Sequence, residues 1–115
     1  MDVARTPVDE PLVVNGLAEA LPISESATTS RSLVDNDHVR VVTFAFDAGE
    51  ELTEHTAAMP VVVQMITGTM RFEVGGESHH LAPGDCIYLP AREPHSLEAL
   101  EPSRLSLVML RDAQE

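Results

Sequence analysis

The feature that most limits the fold of this chain is how often glycine and proline interrupt it. The chain has eight prolines and six glycines, and the five of each that follow Asp47 divide most of that region into runs too short for several long helices. The apolar residues in these runs are largely Val, Ile and Leu, which favour strands. A length of 115 residues gives room for one domain with a core of its own. The sequence therefore predicts a single all-β domain.

Short apolar runs recur at a spacing typical of sandwiches and barrels. The predicted strands are Thr28–Val34, Val39–Phe46, Leu52–Thr56, Val61–Ile66, Thr69–Val74, Ser78–Leu81, Cys86–Leu89, His95–Leu100 and Arg104–Leu110. The first two are separated by Asp35, Asn36 and Asp37, whose side chains suit a tight turn, so we expect a hairpin there. Eight or nine strands at this spacing indicate a β-sandwich or β-barrel.

The N-terminal residues follow a different pattern. Three prolines surround the apolar piece Leu12–Leu21, and regular alternation begins only after it. We expect residues 1–25 to form a segment that is partly ordered or packed on the barrel. Residues 26–115 are then the β-barrel domain.

The charge of the chain excludes several kinds of function. Seven basic residues, all arginine, stand against 19 acidic ones, for a net charge of −12. Without lysine, Schiff-base chemistry and a phosphate-binding P-loop lysine are excluded. Nucleic acids and anionic membranes are poor partners, because their phosphates would be repelled. The single cysteine excludes an intramolecular disulfide, and the chain has no run of signal-peptide or membrane-span length, so we expect a cytoplasmic protein.

Two predicted strands lack the alternation of a strand with one face in water. Val61–Ile66 and 105–110 are apolar at nearly every position, so both of their faces should be buried. A chain of this length cannot easily cover the outside of its own barrel. A second copy is the expected cover, which predicts a homodimer. The alternative is that the N-terminal segment covers one of these faces in the same monomer.

Two blocks of the chain carry glycine, proline and histidine at a characteristic spacing. The first block contains Gly49, His55 and Gly68, and the second contains Gly84, Pro90 and His95. These blocks resemble the two motifs of the cupin superfamily, G-x5-H-x-H-x(3,4)-E-x6-G and G-x5-P-x-G-x2-H-x3-N. The resemblance covers about residues 28–110 of this chain. It implies a cupin fold, which is a small jelly-roll-like β-barrel.

The resemblance also implies a site for a divalent metal inside the barrel, held by three histidines and a glutamate. This chain keeps only His55 and His95 of those ligands. Ala57 stands at the second histidine of the first block, Val61 at its glutamate, and Ala99 at the asparagine of the second block; Arg92 replaces a glycine. Two imidazoles without a carboxylate should hold iron, manganese, nickel, copper or zinc weakly.

Other side chains are candidates for a third metal ligand or for the pocket wall. Met59 is a candidate third ligand in the loop that follows the first histidine, and Gln64 is one only if a bulge turns it inward. His79 shares a strand face with Leu81 and is the third candidate, although an adjacent histidine pair on an acidic surface is usually solvated. The residues expected to line the pocket are Val61, Val63, Cys86 and Tyr88.

The sequence leaves two functions open. In the first, the pocket around His55 and His95 binds a small molecule, with or without a divalent metal, in a binding or sensing module. The apolar replacements make this pocket suited to an uncharged or aromatic ligand. In the second, the chain is a metal-dependent cupin enzyme of the oxygenase or isomerase type with a non-standard ligand set. No catalytic residue is identifiable from the sequence.

Overall fold

The computed structural model describes residues 5–111, which form nine β-strands and no helix. The strands are β1 (Thr28–Asp35), β2 (Val39–Phe46), β3 (Glu51–His55), β4 (Val61–Thr67), β5 (Met70–Val74), β6 (Glu77–Leu81), β7 (Cys86–Leu89), β8 (His95–Ala99) and β9 (Ser103–Leu110). Each predicted strand is present, with its ends within a few residues of the expected positions. Within residues 5–111, no helix is long and apolar enough to cross a membrane.

The strands form two antiparallel sheets. Five strands pair in the order β1-β2-β9-β4-β7, and four pair in the order β3-β8-β5-β6. Consecutive strands often lie in different sheets, so the chain crosses repeatedly between the two layers. This is the jelly-roll arrangement, and the all-β prediction is confirmed.

The first two strands form the predicted hairpin, and Asn36 closes its turn. The Asn36 side-chain oxygen accepts hydrogen bonds from the backbone N–H groups of His38 and Val39 at 2.9 and 3.2 Å. Asn36 is itself buried, so its polar side chain is satisfied within the turn.

The core lies between the sheets and is built from one face of each strand. Its buried apolar residues are Phe46, Val61, Val63, Met65, Met70, Phe72, Leu81, Leu89, Leu97, Ala99 and Leu105. On β4 the buried positions alternate with less buried ones, as expected of a strand with one face on a core.

An aspartate fixes the segment that leads into β1 against the end of β2. The two Asp47 carboxylate oxygens accept hydrogen bonds from the backbone N–H groups of Ser26 and Ala48, at 2.6 and 2.8 Å. These bonds favour the ionised form and hold the pKa of Asp47 below its ordinary value.

Part of the N-terminal segment lies on the outer face of the five-stranded sheet. Arg31 and Arg104 donate to the backbone oxygens of Ala20 and Leu21. Thr43 and Ala45 face the same side and are fully buried, although they point away from the core. The segment therefore covers part of this face within one monomer, as the alternative to a dimer anticipated. The described residues do not include the first four of the predicted segment 1–25 or the last four of the predicted domain 26–115.

Candidate functional site

The structure brings His55 and His95 together. His55 is the last residue of β3 and His95 the first of β8, and the two are direct partners in the antiparallel pairing of these strands. Their ring centroids lie 4.3 Å apart and the ring planes meet at 61°. His95 is buried, whereas His55 lies at the solvent-exposed side of the pair.

A β-bulge turns His55 towards the interior. Leu52 and His55 are three residues apart, so they would face opposite sides of a regular strand. The pairing shifts between them, because three steps on β3 match the two steps from Leu97 to His95 on β8. Leu52 and His55 therefore both point between the sheets. Strand alternation alone does not reveal this bulge. The only sign of it in the sequence is that Leu52 and His55 are an odd number of residues apart.

Both rings are fixed in the same way by backbone carbonyls. The Nδ1 atom of His55 lies 2.8 Å from the carbonyl oxygen of Thr53, and Nδ1 of His95 lies 2.9 Å from that of Glu93. A carbonyl oxygen only accepts, so each Nδ1 carries the proton. In a neutral ring, Nε2 then has a free lone pair, and neither Nε2 is hydrogen-bonded to any residue of 5–111. The pair thus presents two hydrogen-bond acceptors.

A narrow cavity adjoins the two rings. The cavity itself has a volume of about 30 Å³, and the figure rises to about 310 Å³ when the space open to solvent at its mouth is counted. Its walls are aromatic and aliphatic apart from the two histidines, and they consist of Phe44, Phe46, Leu52, Val63, Phe72, Leu97, Leu105 and Leu107. Such a cavity suits a small ligand with an apolar body.

The residues predicted to line the pocket fall in different places. Val63 lines the cavity, and Val61 is buried in the core without being part of its wall. Cys86 and Tyr88 require a correction, since both are exposed on the outer face of the sheet. In β7 the alternate residues, Ile87 and Leu89, pair with Val63 and Val61 and face inward instead.

The candidate third ligands do not join the histidine pair. Gln64 lies on the outer face, opposite Ser106 and Cys86, and it is exposed. His79 is on the inward-facing side of edge strand β6, but it is solvent-exposed and does not line the cavity. Met59, in the loop after β3, is not part of the cavity wall either.

Among residues 5–111, the chain therefore supplies at most two ligands for a divalent metal at this site. Within residues 5–111, no group of three or more His, Cys, Asp or Glu side chains is arranged to hold an ion. Two neutral imidazoles in an apolar cavity supply neither the charge nor the number of ligands that replaces the hydration shell of a dication.

The sequence reasoning did not identify most of the cavity wall. Phe44 and Phe46 on β2, and Leu105 and Leu107 on β9, alternate with outward residues along their strands. This alternation shows which residues of each strand face inward. It does not show which strands lie opposite the histidines, because that depends on the strand order of the two sheets.

Comparison with known proteins identifies the family. A family model of the cupin domain, Cupin_2, matches residues 42–111. A conserved protein of unknown function from Streptococcus pyogenes is similar with a TM-score of 0.82 and 25% identity, over 97% of this chain and 98% of that one. A cupin superfamily protein from Desulfitobacterium hafniense gives 0.80 and 21%, over 97% and 100%.

A third solved structure, KdgF from a Halomonas species, shares the fold with a TM-score of 0.72 and 22% identity, over 79% of this chain and 85% of that one. None of the curated protein sequences matches this chain. The family match spans more than half of the chain and includes both motif blocks, which confirms the resemblance. This protein belongs to the cupin superfamily.

Proposed function

We propose that this cupin binds a small, largely apolar molecule that donates a hydrogen bond to the Nε2 atoms of His55 and His95. The ligand would place its apolar body against the cavity wall and its O–H or N–H group at the Nε2 edge of the rings. This is a binding or sensing role, and it requires no chemical step.

The orientation of the two imidazoles is the observation that carries this proposal. Each ring uses its Nδ1–H for a backbone carbonyl, so two acceptors face one small space with no donor among residues 5–111. Both Nε2 lone pairs are therefore open to a donor from outside the protein, and a ligand with a hydroxyl or amine group can supply one. The aromatic and aliphatic wall favours a ligand that is otherwise apolar.

The same ring orientation favours a second candidate, a metal-dependent cupin enzyme. Histidines that bind metals commonly donate their other ring N–H to a carbonyl, as both do here. The remaining ligands would have to come from water or substrate, because the chain supplies only two. We rank this candidate second for that reason.

Phenol and anisole test the first proposal, because they differ chiefly in the hydroxyl that donates. We expect phenol to bind and to shift the Nε2 resonances of both histidines in NMR titrations, and anisole to bind more weakly. Replacing one acceptor in His95→Leu should weaken phenol binding about fivefold, which corresponds to one hydrogen bond of about 1 kcal/mol. The matched control is His80→Leu, at an exposed position of β6, which should bind phenol as the wild type does.

Equal binding of phenol and anisole, or no binding of phenol, would contradict the proposal. Metal analysis decides on the second candidate. Protein purified without a tag or chelator, with near-stoichiometric metal that is lost in both His55→Ala and His95→Ala, would favour an enzyme. Less than about a tenth of an equivalent after incubation with excess iron, manganese, nickel, copper or zinc would exclude it.

A further inference from the structure

Two of the seven arginines differ from the rest, because their side chains have no partner among residues 5–111. In a chain with 19 acidic residues, most guanidinium groups find an acceptor. The partnered pairs are Arg5 with Asp37, Arg31 with Ala20, Arg71 with Glu98, Arg104 with Leu21, and Arg111 with Asp35. The side chains of Arg40 and Arg92 form no hydrogen bond or ion pair with any residue of 5–111.

Arg40 belongs to the inward-facing side of β2. It shares this face with Val42, Phe44 and Phe46; the last two line the cavity, and Arg40 lies beyond its wall. Its Nε atom is buried and has no hydrogen-bond partner. A buried donor without a partner is costly, so it indicates a group that the protein itself does not supply.

The pairing of the strands places Arg40 at the end of the sandwich that carries the histidines. Arg40 lies opposite Met109 in the five-stranded sheet, Met109 opposite Val61, and Val61 opposite Leu89. Val61 and Leu89 are each connected to one histidine by a short loop. Residues 56–60 join His55 to Val61, and residues 90–94 join Leu89 to His95, so Arg40 and the histidines lie at the same end of the two sheets.

Arg92 lies in the second of these loops. Its backbone N–H donates to the carbonyl oxygen of Ala57, in the first loop, at 2.7 Å. Its φ angle is +67°, in the left-handed region, and the cupin motif has glycine at this position. An arginine here adopts a strained backbone, and its exposed guanidinium, which pairs with no residue of 5–111, lies on the bridge between the two loops that flank the histidines.

We infer that this end of the cavity binds the carboxylate of an amphipathic ligand, with Arg40 and Arg92 as its specificity-determining residues. Guanidinium groups pair with carboxylates through parallel hydrogen bonds, and both unpartnered arginines lie at the end where such a ligand would enter. The inference rests on the proposed function, because the apolar body and the donor group of the same molecule would occupy the histidine pocket. The ligand class is thus a small aromatic or aliphatic acid with a hydroxyl or amine group.

The test compares para-hydroxyphenylpropionate with its neutral amide, both measured by calorimetry beside phenol. The short chain joins a carboxylate to the phenol group that the histidines are proposed to bind, so one molecule carries both features. We expect the acid to bind about ten times more tightly than the amide, because hydrogen bonds to charged groups are stronger than neutral ones. This preference should fall towards one in Arg40→Gln and Arg92→Gln, while phenol binding stays unchanged and shows that each variant is folded.

Arg71→Gln is the matched control, because it removes the same charge from the outer face of the other sheet. It should keep the preference for the acid. Equal binding of acid and amide by the wild type, or an unchanged preference in both pocket variants, would overturn the inference. If phenol also fails to bind, the proposed function itself is wrong. If phenol binds but the acid has no advantage, only the role of the two arginines is wrong.

Discussion

At the scale of single residues, Arg92 combines an unpaired charge with an unfavourable backbone conformation. Residues with a Cβ atom seldom adopt a φ of +67°, and the conformation costs roughly 1 kcal/mol relative to glycine. Its backbone N–H is nevertheless bonded to Ala57 O, so the loop retains this conformation. Strain of this kind commonly persists where the side chain has a function, which is consistent with a role in ligand recognition.

Replacing Arg92 with glycine should therefore stabilise the protein while it impairs binding of the acid. We expect the free energy of unfolding in urea to rise by up to about 1 kcal/mol in Arg92→Gly, because glycine adopts a positive φ without strain. Arg92→Ala is the matched control, since it removes the guanidinium but keeps a Cβ atom, and its stability should not rise. A glycine variant no more stable than the alanine variant would contradict this account.

At the scale of the elements, the turn between β4 and β5 depends on a glycine for a different reason. Gly68 has a φ of +78°, and a Cβ atom there would lie 2.2 Å from Ser103 Oγ and 2.4 Å from the backbone oxygen of Pro102. Ser103 is fully buried and its hydroxyl donates to Thr69 O and Glu101 O, so it cannot move aside easily. The turn and the start of β9 thus pack directly on each other.

Gly68→Ala should be strongly destabilising. We expect a loss of about 3 kcal/mol, since overpacking against fixed neighbours adds to the cost of the positive φ. Gly75→Ala is the matched control, because Gly75 has a φ of +61° but no atom within 4 Å of an added Cβ. It should lose only about 1 kcal/mol. Equal losses in urea unfolding would show that close packing at Gly68 adds nothing to the backbone strain.

The elements also show which parts of the fold could be predicted from the sequence. Strand positions follow from local information, namely glycine and proline turns and apolar alternation, and these signals located all nine strands. The inward turn of His55 depends on how β3 pairs with β8, which no local pattern encodes. Alternation shows that Cys86 and Tyr88 share one strand face, but not which face is inward, and the pairing of β7 with β4 turns Ile87 and Leu89 inward instead.

At the scale of the whole molecule, the outer faces of the two sheets differ in charge. The outer face of the four-stranded sheet carries the carboxylates of Glu51, Glu73 and Glu98, with Arg71 as their counter-ion. The paired outward residues of β2, β9, β4 and β7 include no carboxylate. On β2 and β9 they are Val39, Val41, Thr43, Ala45, Arg104, Ser106, Val108 and Leu110, and on β4 and β7 they include Val62, Gln64, Cys86 and Tyr88. In a chain with a net charge of −12, this absence is a marked asymmetry.

The part of this face that the N-terminal segment leaves open is apolar. Val41, Val108, Val62 and Tyr88 lie side by side across four strands, and Tyr88 is 59% exposed. Several apolar side chains of the segment, with Val13 at 76%, are exposed as well. Since two copies of an acidic chain can approach closely only through faces without carboxylates, we expect a second copy to cover this face in a twofold homodimer.

A charge placed in this face tests the predicted dimer. Light scattering at micromolar concentration should give twice the mass of one chain. Tyr88→Glu should shift the protein towards monomer, because it opposes two carboxylates across the twofold axis, and the exposure of Tyr88 keeps the monomer folded. Ser78→Glu, on exposed edge strand β6, adds the same charge elsewhere and should leave the dimer intact. A monomeric wild type, or a Tyr88→Glu variant that dimerises as well as Ser78→Glu, would show that this face does not bind a second copy.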